Sequence, residues 1–163
     1  METTDPAPPF AVAPDAGEAT WFLGTLMTVK ATAAQTGGAF GLIEQVLPPS
    51  FAPPPHTHRA EDEAFYILAG DFTFTCDGHD FPAPVGTFVY LPRDLPHTFR
   101  VNGTDPARLL QFTFPGGLER FFVEAGQAAP RRELPPAGPP DLGPVLALAG
   151  SYGFEMSPPP TAP

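Results

Sequence analysis

Residues 53–70 read P-P-P-H-T-H-R-A-E-D-E-A-F-Y-I-L-A-G, and this stretch decides how the rest of the chain is understood. It contains His56, His58 and Glu63. In extended backbone, residues two apart point to the same face, so His56 and His58 reach one ion together. A second stretch, G-T-F-V-Y-L-P-R-D-L-P-H at residues 86–97, ends in His97, so three of the chain's four histidines fall in this set. Neutral imidazoles with a carboxylate are donors that hold a divalent first-row metal. The residues alone therefore point to a metal site.

Working outward, the chain alternates or runs apolar in short bursts broken by turn residues. Strands are expected over 21–31, 39–47, 64–68, 71–76, 87–91, 97–101 and 108–114. Asp77-Gly78, between two Phe-containing runs, is a hairpin signal, because Gly accepts the positive φ such turns demand. Gly37-Gly38, Gly70-Asp71 and Asn102-Gly103 mark further turns. Many short strands at close spacing argue an all-β sandwich or barrel. Helical spacing appears only late, over 117–125, stopped by Gly126, and over 141–149, opened by Asp141 and closed by Gly150. Both helices are expected outside the barrel, covering it or a partner.

The totals set limits. A chain of 163 residues is most simply one domain with a substantial core. The division is a loose arm at 1–20, a β-barrel at 21–115, and short helices with a Pro-rich tail at 116–163. Ten of the 25 prolines lie in residues 130–163. The formal net charge is −10, and no basic run exists, which excludes nucleic acid as the expected partner. No apolar stretch has the length of a membrane span. The acidic start Met1-Glu2-Thr3-Thr4-Asp5 lacks the form of a secretory signal, and the single cysteine, Cys76, suits a reducing compartment. The expected location is the cytoplasm.

The spacing then becomes specific. His56-x-His58, four residues, Glu63, six residues and Gly70 match the first motif of the cupin family. After fifteen residues, Gly86, five residues, Pro92 and then Pro96-His97 resemble the second. The chain resembles a cupin, which implies a small antiparallel jelly-roll barrel, with the one or two short C-terminal helices already read. Two departures stand out. Asp94 occupies a place usually held by Gly, and Asp tolerates the left-handed conformation better than most residues. Val101 stands where Asn is usual, with Asn102 next. A narrower likeness, carried by L-P-R-D-L-P-H-T-F-R, P-A-R-L-L, F-P-G-G-L-E-R-F-F and the tail at Tyr152-Gly153-Phe154, is to bacterial quercetin 2,3-dioxygenase-like single-barrel cupins.

That resemblance implies His56, His58, Glu63 and His97 as ligands of one divalent transition metal per chain, with Fe, Mn, Co, Ni, Cu and Zn all compatible. It implies a dioxygenase in which Glu63 is the general base toward the 3-hydroxyl of a flavonol or similar enolisable aromatic, with O2 as co-substrate. Two other functions stay open: an isomerase, cyclase or lyase acting on a polyketide-like molecule, and a small-molecule-binding cupin without turnover. The likeness also implies a homodimer.

The barrel lining is expected among Phe40, Leu42, Phe65, Ile67, Phe72, Phe74, Phe88, Tyr90, Phe99, Leu110, Phe112 and Phe114. A Phe-rich cavity beside a metal suits a flat hydrophobic or aromatic ligand. Phe65, Tyr66, Tyr90, Gln111, Phe112 and Phe114 are the candidate substrate contacts. The spacing to Gly70 favours Glu63 over Glu61, which reads as a solvated loop carboxylate. His79, after the Asp77-Gly78 turn, reads as a surface hairpin residue.

Overall fold

The computed structural model describes residues 6–157. In chain order the strands are β1 (Ala19–Phe22), β2 (Thr25–Ala31), β3 (Gly41–Leu47), β4 (His56–His58), β5 (Asp62–Ala69) and β6 (Asp71–Cys76). They continue with β7 (His79–Pro84), β8 (Phe88–Leu91), β9 (His97–Asn102) and β10 (Ala107–Phe114). Helix α1 (Leu118–Ala125), β11 (Gln127–Ala128), α2 (Gly143–Ala149), a 3-10 turn (Gly150–Tyr152) and β12 (Phe154–Met156) complete the described chain. Among the described residues every strand pairing is antiparallel. One sheet runs β11-β1-β2-β3-β10-β5-β8 and the other β12-β4-β9-β6-β7.

The two sheets close on a shared core. Leu47, Phe65, Ile67 and Leu109 from the larger sheet meet Phe72, Phe74, Phe99 and Val101 from the smaller. This is the jelly-roll class expected from many short strands with two apolar inner faces to cover. The alternation along β10 runs inward at Leu109, Gln111 and Thr113 and outward at Arg108, Leu110, Phe112 and Phe114. Side-chain period two makes a one-residue slip in reading turn every residue to the other face. Leu42, Phe88, Tyr90, Leu110, Phe112 and Phe114, expected in the lining, therefore lie outside it.

The expected single strand at 21–31 is a hairpin. Leu23 and Gly24 both have positive φ, 48° and 85°, and turn β1 back on β2. Asp77 and Gly78, at 49° and 77°, make the corresponding two-residue turn between β6 and β7. Asp94 adopts the left-handed conformation at φ 68°, the place where glycine is usual.

The helices do not lie on the outside of the barrel. Leu118, Phe121 and Phe122 of α1 and Val145 of α2 pack with Phe22, Met27, Ile43 and Phe154 across one end of it. Glu119 fixes this placement: its buried carboxylate accepts from the Gly117 N–H at 2.7 Å and from the Ala33 N–H at 2.7 Å. Asp141 accepts from the Gly143 N–H at 3.0 Å, but Leu142 occupies the N-cap position itself.

The described parts of the arm and of the tail are more fastened than expected. Lys30 donates to the carbonyls of Ala13, Pro14 and Ala16, holding the first arm against β2. The tail returns as β12, pairing Phe154 with His58 and Met156 with His56. The outermost parts of arm and tail, residues 1–5 and 158–163, lie outside the described residues. Among the described residues no helix is long and apolar enough to cross a membrane.

Candidate metal centre

The site is built from three strands at the end of the barrel that the helices cover. On β4, His56 and His58 share the inward face. His56 lies directly opposite His97, the first residue of β9. Glu63 enters from β5, where it pairs with Thr113 of β10. The ring centroid of His56 lies 5.0 Å from that of His58 and 4.6 Å from that of His97. One donor atom from each of His56, His58, Glu63 and His97 falls within 4.8 Å of every other.

Backbone carbonyls set two of the tautomers. His56 Nδ1 lies 2.7 Å from the Pro54 oxygen, and His97 Nδ1 lies 3.0 Å from the Leu95 oxygen. A carbonyl only accepts, so each Nδ1 carries the proton and each Nε2 is free to face the centre. His97 Nε2 then stands 2.8 Å from Glu63 Oε2, and His58 Nε2 stands 3.4 Å from the same oxygen. Lone pairs and carboxylate charge at such range repel unless positive charge lies among them, supplied by a proton or a metal ion. Burial pushes His56 down to about 3, with His97 and His58 adding to the effect, and burial likewise lowers His58. Burial alone would raise Glu63, but the imidazoles, His58 foremost, outweigh it and hold the carboxyl below its ordinary range. Neutral imidazoles and one carboxylate are the donor set for a divalent cation, and these residues fit one. Behind the carboxylate, Gln111 Nε2 donates to Glu63 Oε1, and Gln45 Nε2 donates to Gln111 Oε1.

Beside the donors lies a cavity of about 60 Å³, walled by Phe22, Phe65, Phe99, Phe121, Phe122 and Phe154 among others. Of the candidate substrate contacts, Phe65 and Gln111 border it. Tyr66, Tyr90, Phe112 and Phe114 do not: they occupy the outer face of the larger sheet, with Phe112 and Phe114 stacked at 6.2 Å. Inner parity, shared with Ile43 and Leu47, was the available signal for Gln45. For Phe121, Phe122 and Phe154 no local signal existed, because the chain fold alone brings them to the mouth.

Glu61 also departs from expectation. It is only 5 % exposed, and its Oε2 has no hydrogen-bond partner among the described residues. Burial, then the charge of Glu63, pushes its carboxyl up to about 7. Ser151, Tyr152 and Gly153 line the same recess as Glu61, a carboxylate expected in solvent. His79 is exposed, with Nδ1 2.9 Å from the Asp77 oxygen, away from the cluster.

An antiparallel two-sheet jelly roll with three imidazoles and a carboxylate converging at one end defines a class, the jelly-roll proteins with a candidate metal site. Within it, residues 43–113, a span that includes all four donors, match the family pattern described as "Cupin domain". Quercetin 2,3-dioxygenase of Bacillus subtilis (strain 168) is 26 % identical over 128 residues, covering 78 % of this chain and 38 % of the relative. Polyketide synthase CurC of Streptomyces cyaneus is 31 % identical over 88 residues, covering 54 % of this chain and 55 % of the relative. The chain thus spans less than two thirds of either relative's length. Among solved structures, an RmlC-like cupin from Shewanella frigidimarina superposes with a TM-score of 0.60 at 13 % identity, over 69 % of this chain and 96 % of the other, a likeness of fold.

Proposed function

We propose that the chain is a metal-dependent cupin enzyme of the quercetinase-like kind, acting with O2 on a flavonol or similar enolisable aromatic. The observation that carries this reading is the placement of three imidazoles and Glu63 against a wall of phenylalanine rings. A bound divalent ion held by His56, His58, Glu63 and His97 supplies Lewis acidity and positions for oxygen ligands. The chain's own residues do the rest. Glu63 accepts the proton of an acidic hydroxyl brought beside it. Phe65, Phe99 and Phe154 receive the flat apolar body and exclude water.

The cavity is smaller than pockets that enclose a multi-ring ligand, which measure about 300–1,000 Å³. Entry of such a substrate therefore requires the wall formed by α1, α2 and β12 to give way. Aerobic incubation of metal-loaded protein with quercetin, followed by an oxygen electrode and by flavonol absorbance, tests the reading. Equimolar loss of both is expected. Metal present without oxygen uptake overturns it in favour of an isomerase, cyclase or lyase on a polyketide-like molecule, to which the likeness to CurC lends weight.

The same reading includes a pair of copies. Phe88, Tyr90, Tyr66 and Phe114 are 63 %, 52 %, 41 % and 38 % exposed on one outer face. That face ends at edge strand β8, which among the described residues has β5 as its neighbour on one side only. Its charged groups Asp62 with Arg93 and Glu44 with Arg108 are already paired, leaving a neutral apolar patch on an otherwise acidic chain. A second copy buries both patches at once. Light scattering on the eluting protein should give twice 17.3 kDa; the single-chain mass overturns the pairing.

A further inference from the structure

Two amides stand behind the carboxylate, and a donor set of three imidazoles and one carboxylate does not of itself call for either. Gln111 on β10 and Gln45 on β3 are 4 % and 3 % exposed, and both border the cavity. The sheet register explains how they meet. Gln111 pairs with Ile43 and Phe65, Gln45 pairs with Leu109, and Glu63 pairs with Thr113, so Gln45, Gln111 and Glu63 descend a diagonal on the inner face. Diagonal neighbours on one face are within reach of long side chains.

The carboxylate gives this chain of hydrogen bonds its direction. An ionised carboxylate offers only acceptors, so Gln111 must turn its amino group toward Glu63 Oε1. Its carbonyl then faces β3, and Gln45 must donate to it in turn. Both amide orientations follow from the charge on Glu63, and a mutually satisfied amide pair alone would not fix them. Meanwhile Glu63 Oε2, the oxygen left over, is the one that faces His97 and His58.

We propose that Gln111, backed by Gln45, is a positioning residue that occupies Glu63 Oε1 and leaves Oε2 as the single carboxylate oxygen offered to a divalent ion. This rests on the metal-site reading above. Its consequence is functional: a carboxylate that contributes one oxygen leaves a coordination position free that a two-oxygen carboxylate would fill. The amides thereby keep room for a ligand oxygen at the ion without touching the ion themselves. Outer partners of metal ligands commonly carry such weight.

The test uses purified full chain, Co(II) as probe and a chromophoric chelator as competitor, with visible absorption of the cobalt protein and thermal unfolding of the apoprotein recorded in parallel. Gln111→Met is expected to bind Co(II) about 10- to 100-fold more weakly and to change the cobalt band pattern. Gln45→Met, one hydrogen bond further back, is expected to shift both readouts in the same direction by less. Should Gln111→Met not fold, the same readouts on Gln45→Met decide. Wild-type affinity and unchanged bands, with only apoprotein stability lowered, would make the amides structural and overturn the proposal. Weaker binding with unchanged bands overturns it too, because loosened packing alone produces that. If the wild-type chain takes up no Co(II), the metal-site reading falls together with this one.

Discussion

The cavity has two walls made in different ways. The donor wall, β4, β5 and β9, lies within the barrel: Glu63 is buried between β10 and β8, and His97 begins a strand paired on both sides. The opposite wall, α1, α2 and β12, is laid over the barrel mouth by residues that follow the last long strand. Its contacts with the donor strand are the β12 ladder on β4, which pairs Phe154 with His58 and Met156 with His56, and the Phe154 ring, whose centroid lies 4.9 Å from His56 and 5.1 Å from His58. Backbone bonds add to these where Arg59 N–H donates to Gly153 and Ser157 N–H to Pro55, at 2.8 and 2.9 Å. On the proposed function the difference separates two tasks: holding an ion would need a fixed wall, while admitting a substrate larger than about 60 Å³ would need one that yields.

The sharpest break of this comparison is to strip a donor. His97→Ala should lower affinity for Zn(II) or Co(II) by more than about 100-fold, beyond what loss of an outer partner costs. Elemental analysis after dialysis then finds far less than one ion per chain. Phe154→Ala, on the other wall, should leave the ion in place. It removes a buried ring and should cost about 3 kcal/mol in thermal or urea unfolding, the low end for such truncations. It should also let a bulky chelator extract the ion faster. Equal metal loss in both variants would mean that the walls are not separate in function.

The donor wall was also the legible one. Its ligand spacing lies within 42 residues of sequence, from His56 to His97, and each donor is placed by local strand geometry. The yielding wall was not legible, because its partners are remote: Phe154 meets His58, and Trp21 Nε1 donates to the Glu133 carbonyl at 2.8 Å, across 112 residues. Glu61 shares its recess with Ser151 to Gly153, which are equally remote in sequence. The misplaced aromatics have another cause. Strand β10 is apolar on both faces, with Leu109 inward and Leu110 and Phe112 half-buried outward, so alternation could not name the inner set. The split of 21–31 into a hairpin was hidden because Leu23, with no turn preference, takes a positive φ there.

Smaller effects test how the donor wall is held without an ion. In chelator-treated protein, unfolding exposes His56, which then takes up a proton near its ordinary value of 6.5, whereas the folded chain resists until about 3. Between these values the unfolded state binds more protons, so stability is full above 6.5 and falls as pH drops. The loss attributable to this group should reach about 1.5–2 kcal/mol by pH 5. His56→Gln should flatten the urea-midpoint profile over that window; an unchanged slope would place the proton uptake elsewhere.

The smallest effect belongs to the charged link between the walls. Arg59, one residue past β4, donates to Asp94 at 3.0 Å and to Glu155 of β12 at 2.9 Å. All three side chains are about half exposed or more, so water and salt screen the pairing. Hydrogen bonding to Arg59 holds the Glu155 carboxyl below its ordinary range, which makes this contribution present at neutral pH and lost on acidification. Arg59→Gln should therefore shift Tm by about 2 °C or less, with no change in metal content, and the shift should vanish at high salt. A shift as large as that of Phe154→Ala would mean that charge, not the packed ring, fastens β12. The yielding wall would then open with ionic strength, and substrate entry, measured as the rate of chelator access, would rise with salt in the wild-type chain.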